Sequence, residues 1–258
     1  MKFNHQLIQK YFKKLYNEVL KVNYTQRHTN GVEFLITSIE NDEVWEDIRQ
    51  VAYMLATALW ETGHKMEPVE EILAKPGTKL FDIQSKYKPF TGKGFVQLTH
   101  ERNFKSMGKR LKLPLASTPQ LALNPEVSYQ IMAVGMREGS FTGKKLSDYI
   151  NSKGANYKLA RRVVNGNDKA DKIAYYAQCV ENILKASAVI QEESKWGTSS
   201  AISTNDRDFQ ITDTQVSADS NTGTTTTEIT ATTIDNNQTV LVTKTEASPT
   251  GGIQSWKT

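Results

Sequence analysis

The chain has 258 residues, with 32 Lys and Arg against 28 Asp and Glu, and a single cysteine. That cysteine excludes an intrachain disulfide framework and a cysteine-based zinc site. Charge is segregated: residues 191–258 carry nine acidic and four basic side chains, a net of −5, which leaves the first 190 residues at +9. A basic front half suits an anionic polymer, through attraction that salt weakens.

Residues 1–20 have lysines interrupting every apolar stretch, so neither a signal-peptide core nor a membrane span is predicted. Leu7, Ile8, Tyr11, Phe12, Leu15, Val19 and Leu20 recur at steps of three and four and predict an amphipathic first helix. A second is predicted over residues 31–39. A third follows Asn41-Asp42, which can cap it, with Ile48, Val51, Ala52, Leu55, Ala58 and Leu59 on one stripe. Further helices are predicted over residues 104–111, 127–137, 157–164 and 170–184, the last holding Cys179 as a packed core thiol. Glycine- and proline-marked loops fall at residues 75–77, 88–94 and 139–143. The front half is therefore predicted to be mainly α.

After Ser194 the composition turns to threonine, serine, asparagine and aspartate with almost no leucine. Two readings fit residues 191–258: a disordered linker, or an extended anchor that orders on a partner. Residues 238–243 have the β-branched character of a strand, provided something pairs with them.

Two segments carry chemistry: Trp60-Glu61-Thr62-Gly63-His64, running on to Glu70-Glu71, and Gly92-Lys93-Gly94-Phe95-Val96-Gln97-Leu98-Thr99. Glu61 falls at the end of the third helix, with Gly63 placed to stop it. Partial desolvation at the border of the apolar stripe would keep its carboxyl protonated, as a general acid needs. The second segment reads as a turn feeding an extended run, so that Phe95, Gln97 and Thr99 share a face by the two-residue period, and Asn103 joins them if a helix starts there. Inverting glycoside hydrolysis asks for such a set: an acid, an ionised base roughly 6.5–9.5 Å away, and a group that holds water.

Two competing readings stand beside this one. Glu61, His64 and Glu67 recur every three positions, a spacing also used by metal ligands on a helix. However, Gly63 and Pro68 interrupt the helix such a triad needs, and no second histidine stands at helical spacing, so no metal and no cofactor is predicted. Lys10, Lys13, Lys14, Lys105, Lys109, Arg110 and Lys112 could meet phosphates, but they are dispersed among acids and lack a reading element. A solvated face, not nucleic acid binding, is the expectation.

The motifs 53–57, Glu61-Thr62-Gly63, Pro68-Val69-Glu70-Glu71, the Gly92 to Thr99 segment, Asn103-Phe104 and Ala160-Arg161-Arg162-Val163-Val164-Asn165-Gly166 stand in an order that resembles glycoside hydrolase family 19. That family comprises chitinases and related phage and bacterial endolysins. The resemblance covers roughly residues 44–184. It implies a lysozyme-like, mainly helical catalytic domain over residues 1–190 with a deep cleft and an inverting mechanism, followed by the Thr-rich tail. By the same resemblance Glu61 is the general acid and Glu70 the base, with Glu67 and Glu71 as rivals. Thr99 positions the attacking water, and Gln97, Asn103, Asn165 and Lys172 bind substrate. The chain departs from the pattern at Trp60, where histidine is usual, and at Lys93, where arginine is usual; lysine keeps the charge but loses the bidentate fork.

The short path from Glu61 to Gly92, without cysteine-stabilised insertions, resembles the endolysin branch. Peptidoglycan is thus the expected polysaccharide, with chitin as the alternative and a non-catalytic wall-binding protein as a third reading. The expected setting is cytoplasmic until release, or association with a virion or injection particle through the tail, without membrane insertion.

Overall fold

The computed structural model describes residues 1–189 in full and, beyond them, the backbone of three strands. The chain divides into two units, Met1–Glu192 and Glu193–Thr258.

The first unit is mainly helical. Helix α1 (His5–Lys14) is capped by Asn4, whose side chain accepts from the Leu7 amide, and it runs into a π-helical turn at Leu15–Leu20. Helix α2 (Gln26–Asn41) is longer than the predicted 31–39. Thr25 and His28 build a capping box at its start, so Gly31 lies inside the helix and not at its beginning. A Cβ at Gly31 would lie 2.1 Å from the Met66 carbonyl oxygen, so the glycine admits a close crossing.

Helix α3 (Ile48–Glu61) is capped by Asp47, which accepts from the Arg49 amide at 2.9 Å. Asp42, the predicted cap, instead pairs with Arg137 at 2.7 Å. Every residue from 51 to 59 is buried, so α3 is the central helix and not one with a single apolar stripe. A helix apolar on all sides must be enclosed on all sides.

Strand β1 (Val69–Glu70), helix α4 (Lys79–Ser85) and strand β2 (Lys93–Gly94) follow, and β1 pairs antiparallel with β2. Helix α4 lies between the predicted loops 75–77 and 88–94, in a stretch for which no element was predicted, and is started by Thr78, whose hydroxyl accepts from the Phe81 amide. Helices α5 (Glu101–Leu111) and α6 (Pro125–Glu138) come next, α6 capped by Asn124 and stopped at Gly139 with φ of 75°. A short hairpin, β3 (Ile150–Asn151) with β4 (Gly154–Ala155), precedes α7 (Tyr157–Ala160). The predicted helix 157–164 is thus one α turn continued by a 3₁₀ turn at Arg161–Val163.

Helix α8 (Ala170–Ser187) packs along α3. The unit closes on itself: the Asn4 amide donates to the Ser187 carbonyl at 2.7 Å, and the Val189 amide to the Lys2 carbonyl at 2.8 Å. Cys179 is half-buried against the core, not fully within it, and burial pushes its thiol up.

In the second unit, β5 (Phe209–Asp219), β6 (Thr224–Thr233) and β7 (Thr239–Ala247) form an antiparallel sheet in that order. Thr232 faces Thr239 and Thr224 faces Ala247, while a register shift interrupts β5 between Ile211 and Asp213. The strand predicted over 238–243 thus finds its partner in β6.

Candidate active site

Glu61 is the last residue of α3. The helix is stopped by Gly63, with φ of 59°, while the His64 amide returns to the Leu59 carbonyl at 2.8 Å. The Glu61 carboxylate is 16 % exposed, and its Oε1 lies 2.7 Å from an Arg161 guanidinium nitrogen. Where an apolar rim was expected, the structure places a cation. The Arg161 side chain is 2 % exposed, and its Nε donates to the Asp168 carbonyl at 3.0 Å. Nη1 makes no aligned hydrogen bond, so its contact with Glu61 is charge against charge. Tyr53, one of the fully buried residues of α3, has no partner for its hydroxyl among the described residues. Burial pushes that phenol up, and Arg161 opposes the shift.

The second group is built on the β1–β2 ladder, in which Glu70 faces Lys93. The Lys93 side chain is wholly buried, with its ammonium 2.8 Å from Glu70 Oε1. The same ammonium donates to the Pro89 carbonyl at 2.8 Å and to Thr91 Oγ1 at 2.9 Å. The Thr91 carbonyl lies further off at 3.4 Å, so the three protons of the ammonium are taken up by the three nearer acceptors. Lysine therefore holds the carboxylate by one contact and the loop by two others, where arginine would fork onto the carboxylate. Thr91 Oγ1 also donates to Glu70 Oε1 at 3.3 Å. Lys93 above all holds the Glu70 carboxyl below the usual carboxylate range, against the opposing effect of partial burial.

The rival carboxylates have other partners. Glu67 is gripped by Arg27, whose Nε and second nitrogen both donate to it. Glu71 accepts from the Gln84 amide at 2.7 Å and from the Gly92 amide at 3.1 Å, which ties α4 to the β1–β2 ladder. His64 stands among aromatic rings, edge-on to Trp60 and Tyr176. Glu61, His64 and Glu67 are therefore not gathered together, and among the described residues no group of three His, Cys, Asp or Glu side chains is disposed to hold a metal.

The expected extended run after Gly94 is a tight turn instead. Lys93 and Leu98 exchange backbone hydrogen bonds at 3.1 and 2.9 Å, and Gln97 has φ of 53°. Phe95, Gln97 and Thr99 thus do not share a face by strand period, because hairpin closure overrides the alternation. Phe95 is fully buried, and its amide donates to Ser128 Oγ at 2.8 Å, which anchors the turn on α6. Gly94, with φ of 84°, is where this turn needs glycine, since a Cβ there would lie 2.5 Å from Ser128 Oγ.

A relay of hydrogen bonds nevertheless joins the expected polar residues. The Gln97 side-chain nitrogen donates to the Val69 carbonyl at 3.0 Å, Thr99 Oγ1 to the Gln97 carbonyl at 2.8 Å, and Asn103 Nδ2 to the Thr99 carbonyl at 2.8 Å. Gln97, Thr99 and Asn103 therefore belong with Glu70. Asn165 is exposed, and its amide donates to the Arg161 carbonyl at 2.9 Å, which places it beside the Glu61 group. Lys172 is exposed and lies over the Trp60 ring, 5.2 Å from its centroid.

Beside the Glu70 group opens a cavity of about 350 Å³, lined by Glu70, Glu71, Leu73, Lys88, Pro89, Thr91 and Gln120. The sequence motifs give no role to Arg161, Thr91 or Gln120. Arg161 had a readable signal: an arginine between Ala160 and Val163, among residues that must be buried, needs a carboxylate to answer it.

No family model matches the sequence, and a search of curated protein sequences returns no match. Solved structures with a similar chain course include chitinase C from Streptomyces griseus HUT6037, at 15% identity and a TM-score of 0.45, covering 69% of this chain and 77% of that one. A mutant of chitinase C aligns at 15% identity and 0.44, over 71% of this chain and 92% of that one. A bacterial family 19 chitinase aligns at 16% identity and 0.41, over 67% and 95%.

Proposed function

We propose that the helical unit is an inverting glycoside hydrolase that cleaves the peptidoglycan strand between N-acetylmuramic acid and N-acetylglucosamine. The observation that carries this reading is the unequal treatment of two carboxylates at the ends of one short segment. Glu61 is recessed at 16 % exposure, whereas Glu70 is 42 % exposed and held ionised by Lys93. Two carboxyl groups in different surroundings take different roles.

In this mechanism Glu61 gives its proton to the glycosidic oxygen as the bond to the anomeric carbon breaks. A water attacks that carbon from the opposite face and loses its proton to Glu70, so the new reducing end is inverted. Thr99 Oγ1, having donated its own proton to the Gln97 carbonyl, keeps lone pairs that accept from the water. Exchange with solvent then returns the proton to Glu61 and removes it from Glu70.

The +9 charge of residues 1–190 favours an anionic wall over neutral chitin. The acidic, Thr-rich residues 191–258 serve in this proposal as an anchor that carries the lytic unit on a virion or injection particle. Among the described residues no helix is long and apolar enough to cross a membrane.

The test is digestion of purified peptidoglycan and of chitin oligomers, with mass and anomer analysis of the products. Inverted reducing ends on muramic acid support the proposal, and on N-acetylglucosamine from chitin they move the substrate to chitin. Absence of new reducing ends from either polymer leaves a wall-binding protein.

A further inference from the structure

Among the described residues eight large apolar side chains are exposed, and three of them, Ile72, Leu80 and Ile83, fall within one lobe, residues 71–90. Single exposed apolar residues are ordinary at a protein surface, whereas a group of them marks a contact. We propose that this lobe seats the protein on an anionic lipid surface, through the three aliphatic side chains and the lysines around them. The seat is peripheral and not a span, and its function is separate from the glycan cleavage proposed above.

The lobe is built outward from one buried amide. Gln84 of α4 is 8 % exposed; its nitrogen donates to the Glu71 carboxylate at 2.7 Å, and its oxygen accepts from the Ala74 amide at 2.7 Å. With Gln84 on the inward side, α4 turns its other sides to solvent. Leu80 and Ile83 stand three residues apart and share a stripe, at 56 % and 41 % exposure. Ile72 lies between the two residues that Gln84 holds and is 84 % exposed.

Charge selects the partner. Lys79 and Lys86 stand four residues before Ile83 and three after it, at the two ends of the same stripe. Lys75 precedes the Thr78 cap, and the Lys88 ammonium lies 5.9 Å from the centroid of the Phe81 ring. All four lysines are exposed, and Asp82 is the one exposed acid of the lobe. Cations beside aliphatic tips are complementary to anionic headgroups with acyl chains beneath them. The long lysine stems let the ammonium groups stay at headgroup level while the aliphatic tips sink below. A soluble polyanion would be served by the lysines alone and would leave the three aliphatic side chains in water. The same lobe supplies Glu71, Leu73, Lys88 and Pro89 to the wall of the cavity beside Glu70, so seating brings that cavity next to the bilayer.

The experiment is co-sedimentation of the full chain with vesicles of phosphatidylcholine alone and of phosphatidylcholine mixed equally with phosphatidylglycerol, at low and high salt. The parent should pellet with the anionic vesicles, far less with the neutral ones, and less as salt rises. Lys75→Gln, Lys79→Gln and Lys86→Gln combined should weaken partitioning by about 10²-fold, since each charge near such a surface is worth about fivefold. Ile72→Ser, Leu80→Ser and Ile83→Ser combined should weaken it by about tenfold or more, through lost apolar contact with the acyl boundary. Lys13→Gln, Lys14→Gln and Lys21→Gln combined remove the same charge from exposed positions at α1 and the turn after it, and should change partitioning much less. Circular dichroism should show all three variants folded like the parent.

Failure of the parent to pellet with anionic vesicles overturns the proposal. So does an equal loss in the two lysine variants, which would assign attachment to net charge and not to the lobe. Parent-like partitioning in the serine variant, with loss in the Lys75, Lys79 and Lys86 variant, also overturns it, because the lobe would then be a site for anionic polymer and not for a membrane.

Discussion

Glu70 and Lys93 face each other across a ladder of only two residues per strand, with carboxylate and ammonium 2.8 Å apart. Lys93 is the main cause of the lowered Glu70 titration, so its removal has a definite sign. A base works above its own titration, and a nearby cation keeps it ionised to lower pH. Lys93→Met should therefore shift the acid limb of the pH–rate profile upward, as read from initial rates of reducing-end release.

The same pair contributes to stability. A carboxyl group depressed in the folded state stabilises above its unfolded titration, and that contribution is lost as pH falls through the folded one. Glu70→Gln leaves the Lys93 charge buried without its carboxylate, which should cost about 2 kcal/mol at neutral pH, less than for a fully buried pair because Glu70 is half open. Thermal melts of parent and variant should converge as pH drops below the usual carboxylate range.

The carboxylates near Glu70 should separate by function. Glu67 is occupied by Arg27 and not by Lys93 of the β1–β2 ladder, so Glu67→Gln should leave glycan cleavage largely intact. Glu71→Gln keeps an acceptor for the Gly92 amide and should lose some stability through the weakened tie to Gln84. Only Glu70→Gln should lower the rate by about 10²-fold or more while the protein remains folded.

Gly31→Ala tests the crossing of α2 over the segment between the two carboxylates. Its Cβ would meet the Met66 backbone, which cannot swing aside as a flexible side-chain tip can. The expected cost is about 1–3 kcal/mol, the range for forced overpacking, measured by denaturant melts.

Truncation after Ile190 should preserve hydrolysis by the purified protein. The hydrogen bonds that tie Lys2 and Asn4 to Ser187 and Val189 close the helical unit before that point. In a pull-down with particles, the truncated protein should fail to associate; retained association would sink the anchor proposal.

Much of the helical unit could be read from apolar spacing. α1, α6 and α8 have faces of conventional width; Ile8, Phe12 and Leu15 of the predicted first stripe are buried, whereas Val19 at its end is exposed because the chain there leaves α1 for the π-helical turn. The predicted span of α2 is too short because Gly31 reads as a boundary when only local propensity is considered, whereas its reason is a contact with distant Met66. The residues after Gly94 misled for a related reason, since alternation predicts an extended run and the hydrogen bonds between Lys93 and Leu98 fold it into a turn. Lys93 was legible as a departure from arginine, but its third acceptor, the Pro89 carbonyl, depends on the course of the loop. Arg161 was visible as a charge among apolar neighbours; its partner required the packing of α7 and the following turn against the end of α3.

The segment from Thr62 to Glu67 is held along its length. Thr62 Oγ1 donates to the Ala58 carbonyl and accepts from the Met66 amide, Tyr16 donates to the His64 carbonyl, Met66 abuts Gly31, and Glu67 is clamped by Arg27. A span fastened at so many places acts as a strut between Glu61 and Glu70. An enzyme whose reacting groups are separated by a strut assembles its site at folding and not at each substrate encounter. Turnover gated by closure of such a site would be sensitive to solvent viscosity; here the chemical step should proceed at much the same rate in a viscous medium, with only substrate arrival and product departure slowed.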